Sequence, residues 1–250
     1  MPVHSQEEVA VRFKLPVKGA HYDFGAKFGA TPDVAVELLK AVVAAGYRPA
    51  LTFHPGTQCA APEVWSAYIV AAADIASRAG VQPERLNVGG GFASHRGGVA
   101  PDLERIFREI RATVRACFPH PPALVCEPGR GMVADSFTLA TRVKALRPDG
   151  AVFLNDGIYG GFAEWRDICP SSRIRVLGVD GSEKKGGMQL RKVFGPTCDS
   201  IDCLPDEVSL PRKIAEGDYV LFAGMGAYSL AIATGFNGYG VRSVLTVGRV

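Results

Sequence analysis

Strand-like and helix-like patterns alternate through roughly the first 130 residues, and that rhythm restricts the fold more than any other feature. Val9–Leu15 reads as a strand. Thr31-Pro32-Asp33 then gives an N-cap and a proline at the first helical position, ahead of Val34, Leu38 and Val42 at helical spacing. Ala50–His54 predicts a second strand closed by Pro55-Gly56, and Val64, Tyr68, Ala72, Ile75 and Ala76 form the next helical stripe. Leu86–Val88 leads into Gly89-Gly90-Gly91. Leu103, Ile106, Phe107, Ile110, Val114 and Cys117 again keep a helical period. Ala123–Cys126 is the fourth strand and ends in Glu127-Pro128-Gly129-Arg130. Strands separated by helices imply a parallel sheet covered by those helices, open or closed into a barrel.

After about residue 135 the rhythm changes. Short apolar runs sit between turn signals at Leu139–Leu146, Val152–Leu154, Ile174–Leu177, Val193–Phe194, Tyr219–Phe222 and Val244–Val247, with weak helical periodicity. The expected fold class is therefore α/β followed by β: residues 1–134 form the α/β unit and residues 135–250 a mostly antiparallel β domain.

Composition narrows the function classes. The 250-residue chain is 47% hydrophobic and 21% charged, enough apolar material for a core and unlike a disordered or fibrous protein. Its formal charge of +3 is spread without runs of one sign, so binding to nucleic acid or a lipid surface has no electrostatic footprint. Tyr219–Val241 is uncharged and long enough to span a bilayer, but its five glycines and three tyrosines read as buried strand and loop, so no membrane association is expected. The six cysteines form no CxxC pair and Met1–Glu8 is polar. Reduced thiols in the cytoplasm are the expectation.

Residues with chemical potential gather at the C-terminal ends of the four α/β strands, the edge where parallel sheets bind ligands. His54 and Thr57 follow the second strand, Gly89, Gly90 and Gly91 the third, and Glu127 and Arg130 the fourth. Adjacent glycines let backbone N–H groups approach a phosphate, and a hydroxyl and a guanidinium suit the same anion. Each motif also has an ordinary reading: a tight turn, a packed histidine, a salt-bridge glutamate. In the β domain, Gly195-Pro-Thr-Cys198-Asp199 is either a reactive thiol beside a carboxylate or a small cysteine beside a turn-capping aspartate. Asn155-Asp156-Gly157 reads as a turn, and Met225-Gly-Ala-Tyr228 offers a phenol among small residues.

Seven motifs in order give a resemblance: Lys27-Phe-Gly-Ala30, Phe53-His-Pro-Gly-Thr57, Val88-Gly-Gly-Gly-Phe92, Glu127-Pro-Gly-Arg130, Asn155-Asp-Gly-Ile-Tyr159, Gly195-Pro-Thr-Cys-Asp199, and Met225-Gly-Ala-Tyr228 through Phe236-Asn-Gly238. Together they resemble the ornithine/lysine decarboxylases of the fold-type III, alanine-racemase-like enzymes that use pyridoxal 5'-phosphate (PLP). The resemblance implies a PLP-binding β/α (TIM-type) barrel, here partial, then a β domain, in a homodimer with shared active sites. It implies that His54 stacks on the pyridine ring and that Glu127 faces the ring nitrogen. Thr57, standing where the family has a serine, would hold the phosphate with Gly90, Gly91, Pro128, Gly129, Arg130 and Tyr228. Cys198 would be the acid that returns a proton after CO2 leaves. Asp199, Tyr159 and Asp167 would contact a basic amino acid, with Glu164 as a substitute for Asp167. Cys-Asp at 198–199 favours ornithine or lysine in polyamine biosynthesis over the Cys-Glu-Ser of diaminopimelate decarboxylases.

The family also needs a lysine that binds PLP covalently. None of the nine lysines (14, 18, 27, 40, 144, 184, 185, 192, 213) stands in the matching context, and the barrel shows about half of its eight strands. The expectation is a decarboxylase with a missing piece, either truncated or split; the alternatives are a non-catalytic regulatory homologue of the antizyme-inhibitor kind and a diaminopimelate-type decarboxylase.

Overall fold

The computed structural model describes residues 7–16, 24–166, 168, 172–241 and 243–248. The chain divides into two compact units: residues 1–93 with 101–131, and residues 94–100 with 132–250.

The first unit contains β1 (Glu8–Arg12), α1 (Pro32–Ala44), β2 (Arg48–Thr52), α2 (Pro62–Ala79), β3 (Arg85–Asn87), α3 (Leu103–Cys117), β4 (Ala123–Val125) and the start of a short helix, α4 (Gly129–Val133). The four strands are parallel and follow chain order, β1-β2-β3-β4. Side chains alternate between faces along each strand. Val11, Phe13, Leu51, Phe53, Leu86 and Val88 enter one core with Leu39, Trp65, Tyr68, Ile69, Ile75, Ile106 and Ile110 of the helices. Each large apolar side chain buried this way contributes roughly 1.5–3 kcal/mol. The alternate row, Arg12, Thr52, Asn87 and Val125, is paired across the sheet and occupies the opposite face.

The predicted stripes of α2 and α3 are the buried ones. In α1 the expected stripe is wrong: Ala35, Val36 and Leu39 are buried, whereas Val34 and Leu38 are exposed. The helix is apolar on more than one face, so periodicity did not single out the packed side. Thr31 takes the N-cap position but its hydroxyl makes no capping bond. Asp102 does cap α3, accepting from Arg105 N at 2.9 Å.

The second unit holds β5 (Thr138–Leu146), β6 (Val152–Leu154), β7 (Ile174–Leu177), β8 (Met188–Arg191), β9 (Val193–Phe194), β10 (Val208–Pro211) and β11 (Tyr219–Ala223). Five strands run β7-β11-β5-β6-β9, and β10 pairs with β8 in a separate ribbon. All pairs are antiparallel except β6–β9, which is parallel and departs from the expected pattern. Phe162, Trp165 and Phe222 meet edge-on in the core, with centroids 4.8–5.3 Å apart. Val244–Val247, expected as a strand, forms none: Val244, Leu245 and Val247 are exposed, and no described strand pairs with them. Apolar character alone does not make a strand without a ladder partner.

Candidate active site

In the first unit, His54, Gly89 and Glu127 each lie two residues beyond the paired row Thr52, Asn87 and Val125. His54 and Glu127 therefore continue the face opposite the helices, whereas Gly89, at positive φ, leaves the alternation. Two strand spacings separate His54 from Glu127, roughly 10 Å, and a residue without a side chain lies between them.

The glycines are there because nothing larger fits. A Cβ on Gly89 would sit 2.2 Å from Phe53 O and one on Gly91 2.2 Å from Gly56 O, and both residues have positive φ. A Cβ on Gly90 would stand 2.8 Å from Glu127 O and 3.0 Å from His54 Nε2. Backbone bonds lock these loops together: Glu127 N donates to Gly89 O at 2.8 Å and Cys59 N to Gly91 O at 2.8 Å.

His54 is held by its neighbours. Its Nδ1 accepts the Gly56 N–H at 3.0 Å, which leaves the ring proton on Nε2. The Phe24 ring meets the imidazole edge-on with centroids 4.7 Å apart. Burial lowers the His54 pKa to about 4, with the Arg12 charge acting in the same direction and Glu127 opposing it. At neutral pH His54 is an uncharged ring. Thr57 is buried in the loop after β2, and Arg130 is buried in α4, next to Pro128 and Gly129.

In the second unit, Tyr159 donates its hydroxyl to Asp199 Oδ2 at 2.5 Å, and Ile201 N donates to Asp199 Oδ1 at 3.1 Å. These two bonds hold the Asp199 carboxyl below its ordinary pKa, the tyrosine contributing most. The adjacent Cys198 is exposed, and its Sγ accepts from Asn237 Nδ2 at 3.1 Å. Both loops hang on buried Asp202, which accepts from Ile158 N (3.0 Å), Thr197 N (3.0 Å) and Thr197 Oγ1 (2.7 Å). Asp156, also buried, accepts from Gly157 N and Gly161 N, and burial raises its pKa. Tyr228 is half exposed in the turn after β11 with φ of 55°.

The structure thus brings Tyr159, Cys198 and Asp199 together in one unit, and His54, Thr57, Gly90, Gly91 and Glu127–Arg130 in the other. Asp167 lies outside the described residues. Glu164 is buried and faces Arg96 at 3.4 Å. Sequence reasoning missed Arg12, Asp202 and Asn237 as contributors. Only strand parity hints at Arg12 and nothing local marks Asp202, whereas Asn237 stands in the Phe236-Asn-Gly238 motif without a sign of its partner.

Residues 21–226 match the family described as pyridoxal-dependent decarboxylase, C-terminal sheet domain. Ornithine decarboxylase 2 of Drosophila melanogaster is 32% identical over 95% of this chain and 63% of its own length. The arginine decarboxylase of Paramecium bursaria Chlorella virus, solved bound to agmatine, superposes with a TM-score of 0.78 at 27% identity, covering 93% of this chain and 64% of that one. SrLDC, in complex with PLP and cadaverine, gives 0.76 at 29% identity, covering 94% and 60%. The chain belongs to the family of PLP-dependent ornithine, diaminopimelate and arginine decarboxylases. It spans about 55–63% of the length of the curated relatives it matches.

The residues present fit the family cofactor. A flat ring needs a floor without side chains, and Gly90 supplies one between the His54 imidazole and Glu127. A Cβ on Gly90 would fill that space. Among the described residues no His, Cys, Asp and Glu cluster could hold a metal ion, and no helix is long and apolar enough to cross a membrane.

Proposed function

We propose that this chain carries the PLP pocket and the substrate-facing turn of a decarboxylase acting on a basic amino acid, ornithine or lysine, in polyamine biosynthesis. The observation that carries the reading is Gly90 lying between His54 and Glu127, where a Cβ would stand 3.0 Å from His54 Nε2 and 2.8 Å from Glu127 O. In this reading the four-stranded sheet is part of a β/α barrel, and the covalent lysine lies outside these 250 residues. Two facts support that placement: none of the nine lysines has the matching context, and the relatives are longer than the matched region. The reading makes the enzyme a homodimer with shared sites. A cytoplasmic location fits the free thiols of Cys59, Cys117, Cys126, Cys198 and Cys203.

The roles follow from the chemistry of each side chain. PLP, when bound, supplies an electron sink for the bond that loses CO2. Neutral His54 presents an aromatic face to the ring without adding positive charge. Glu127 holds a proton at the pyridine nitrogen and so sustains the sink. Thr57, Gly90, Gly91 and the Pro128–Arg130 segment grip the phosphate. Asp199, kept ionised through Tyr159, binds the distal ammonium of the substrate; Asp167 is assigned to the same subsite. Cys198 delivers the proton to the carbon that has lost CO2. Asp199 is one methylene shorter than glutamate, which favours a diamine terminus over a second carboxylate.

The test is to co-express the chain with the N-terminal part of a curated relative that it does not match, and to assay CO2 release from ornithine, lysine, arginine and diaminopimelate. Release from ornithine or lysine, abolished by Glu127→Ala, is the expected result. No release from any of the four, with both parts folded together, would favour the non-catalytic alternative.

A further inference from the structure

Asn237 has a backbone conformation that few residues tolerate and a side chain aimed at the thiol of a residue 39 positions away. Its φ is 52°, in the left-handed region where asparagine is among the few acceptable L residues, and Gly238 follows with φ of 73°. From that position Nδ2 donates to Cys198 Sγ at 3.1 Å.

The turn carrying Asn237 is fastened independently. Thr234 N and Thr234 Oγ1 both donate to Tyr159 O, at 2.7 and 3.0 Å, and Phe236 N donates to Thr234 Oγ1 at 3.3 Å. The Phe236 ring packs on the Tyr159 ring with centroids 4.7 Å apart. Tyr159 also donates to Asp199. One turn, residues 234–237, therefore reaches both halves of the Cys198-Asp199 pair: Asp199 through Tyr159, and Cys198 directly.

We propose that Asn237 is a positioning residue for Cys198, fixing the direction of its sulfur. The proposal deepens the decarboxylase reading, because it rests on Cys198 being the proton donor. An exposed cysteine otherwise samples three staggered positions about its Cα–Cβ bond. A net hydrogen bond biases that choice by roughly 3- to 10-fold. An acid must point at the atom it protonates, so a loosened Cys198 would deliver its proton less reliably even with the rest of the pocket intact.

Two variants isolate the amide. Asn237→Asp keeps the size and tolerates the backbone but, when ionised, offers no donor. Asn237→Gly suits the left-handed backbone and removes the side chain. The first measurement is alkylation of the full chain by iodoacetamide, read at each cysteine by peptide mass. Cys198 should react roughly 3- to 10-fold more slowly in both variants, most in Asn237→Asp, because the thiolate that is alkylated loses its N–H donor and in that variant gains a carboxylate neighbour, while exposed Cys126 is unchanged. A Cys198 rate within twofold of the parent in both variants would overturn the proposal. The second measurement uses the assembled decarboxylase: both variants should lower the yield of amine per CO2 released in the same direction as Cys198→Ala, with KM unchanged. If alkylation responds but Cys198→Ala leaves that yield intact, the proton-donor reading falls and the grip of Asn237 on the sulfur stands.

Discussion

Gly90 faces His54 so closely that a methyl group on its Cα would stand 3.0 Å from His54 Nε2 and 2.8 Å from Glu127 O. The glycine is the condition for placing the imidazole over the sheet. Gly90→Ala should therefore displace His54, cost about 1–3 kcal/mol of stability as an overpacked contact does, and weaken PLP binding by about tenfold or more. A cofactor titration with a parallel denaturation curve checks both. Parental affinity in the variant would remove the glycines from the pocket.

The low His54 pKa has a consequence for stability. The ordinary value is 6.5 and the folded value about 4. Between these values the unfolded chain binds more protons than the folded chain, so stability rises with pH through that window. The contribution is present above about pH 6.5 and is lost progressively as pH falls to 4. Denaturation midpoints at pH 7 and pH 4.5 should differ less in His54→Gln than in the parent. Equal differences would show that His54 titrates normally.

Tyr159→Phe removes the main reason for the lowered Asp199 pKa. The carboxyl should move up toward its ordinary range, so the acidic limb of the KM profile for a diamino acid should shift to higher pH. At neutral pH the looser carboxylate should raise KM by roughly tenfold, the scale of one hydrogen bond to a charged group. An unchanged acidic limb would place Asp199 outside the substrate site.

Asp202 ties the Ile158 loop to the Thr197 turn. Asp202→Ala leaves three donors, one from Ile158 and two from Thr197, inside the β unit without their acceptor. The expected loss is about 3–5 kcal/mol, measured by urea denaturation. A loss below about 1 kcal/mol would mean that these loops are held by other contacts.

The α/β half of the fold was legible because its signals are local. Prolines open α1 and α2, period-3.6 stripes mark α2 and α3, and glycine or proline follows β2, β3 and β4. That His54 and Glu127 come to one edge of the sheet was legible because both follow closely on strands. The contacts of Asp202 and Asn237 were not, since their partners lie 44 and 39 residues away and no spacing rule joins them. The α1 packing face was misread because apolar residues occupy both candidate faces. The parallel β6–β9 pair escaped notice because short apolar runs carry no record of strand direction.

The central claim is that these 250 residues hold the PLP pocket without the lysine that binds PLP covalently. It is tested by titrating the chain with PLP, reducing the complex with borohydride and mapping the peptides. Binding should be saturable and weakened about tenfold or more by His54→Ala and by Glu127→Ala, with no stoichiometric adduct on any of the nine lysines. Absence of saturable binding by the folded chain, or one lysine reduced in full, would contradict it.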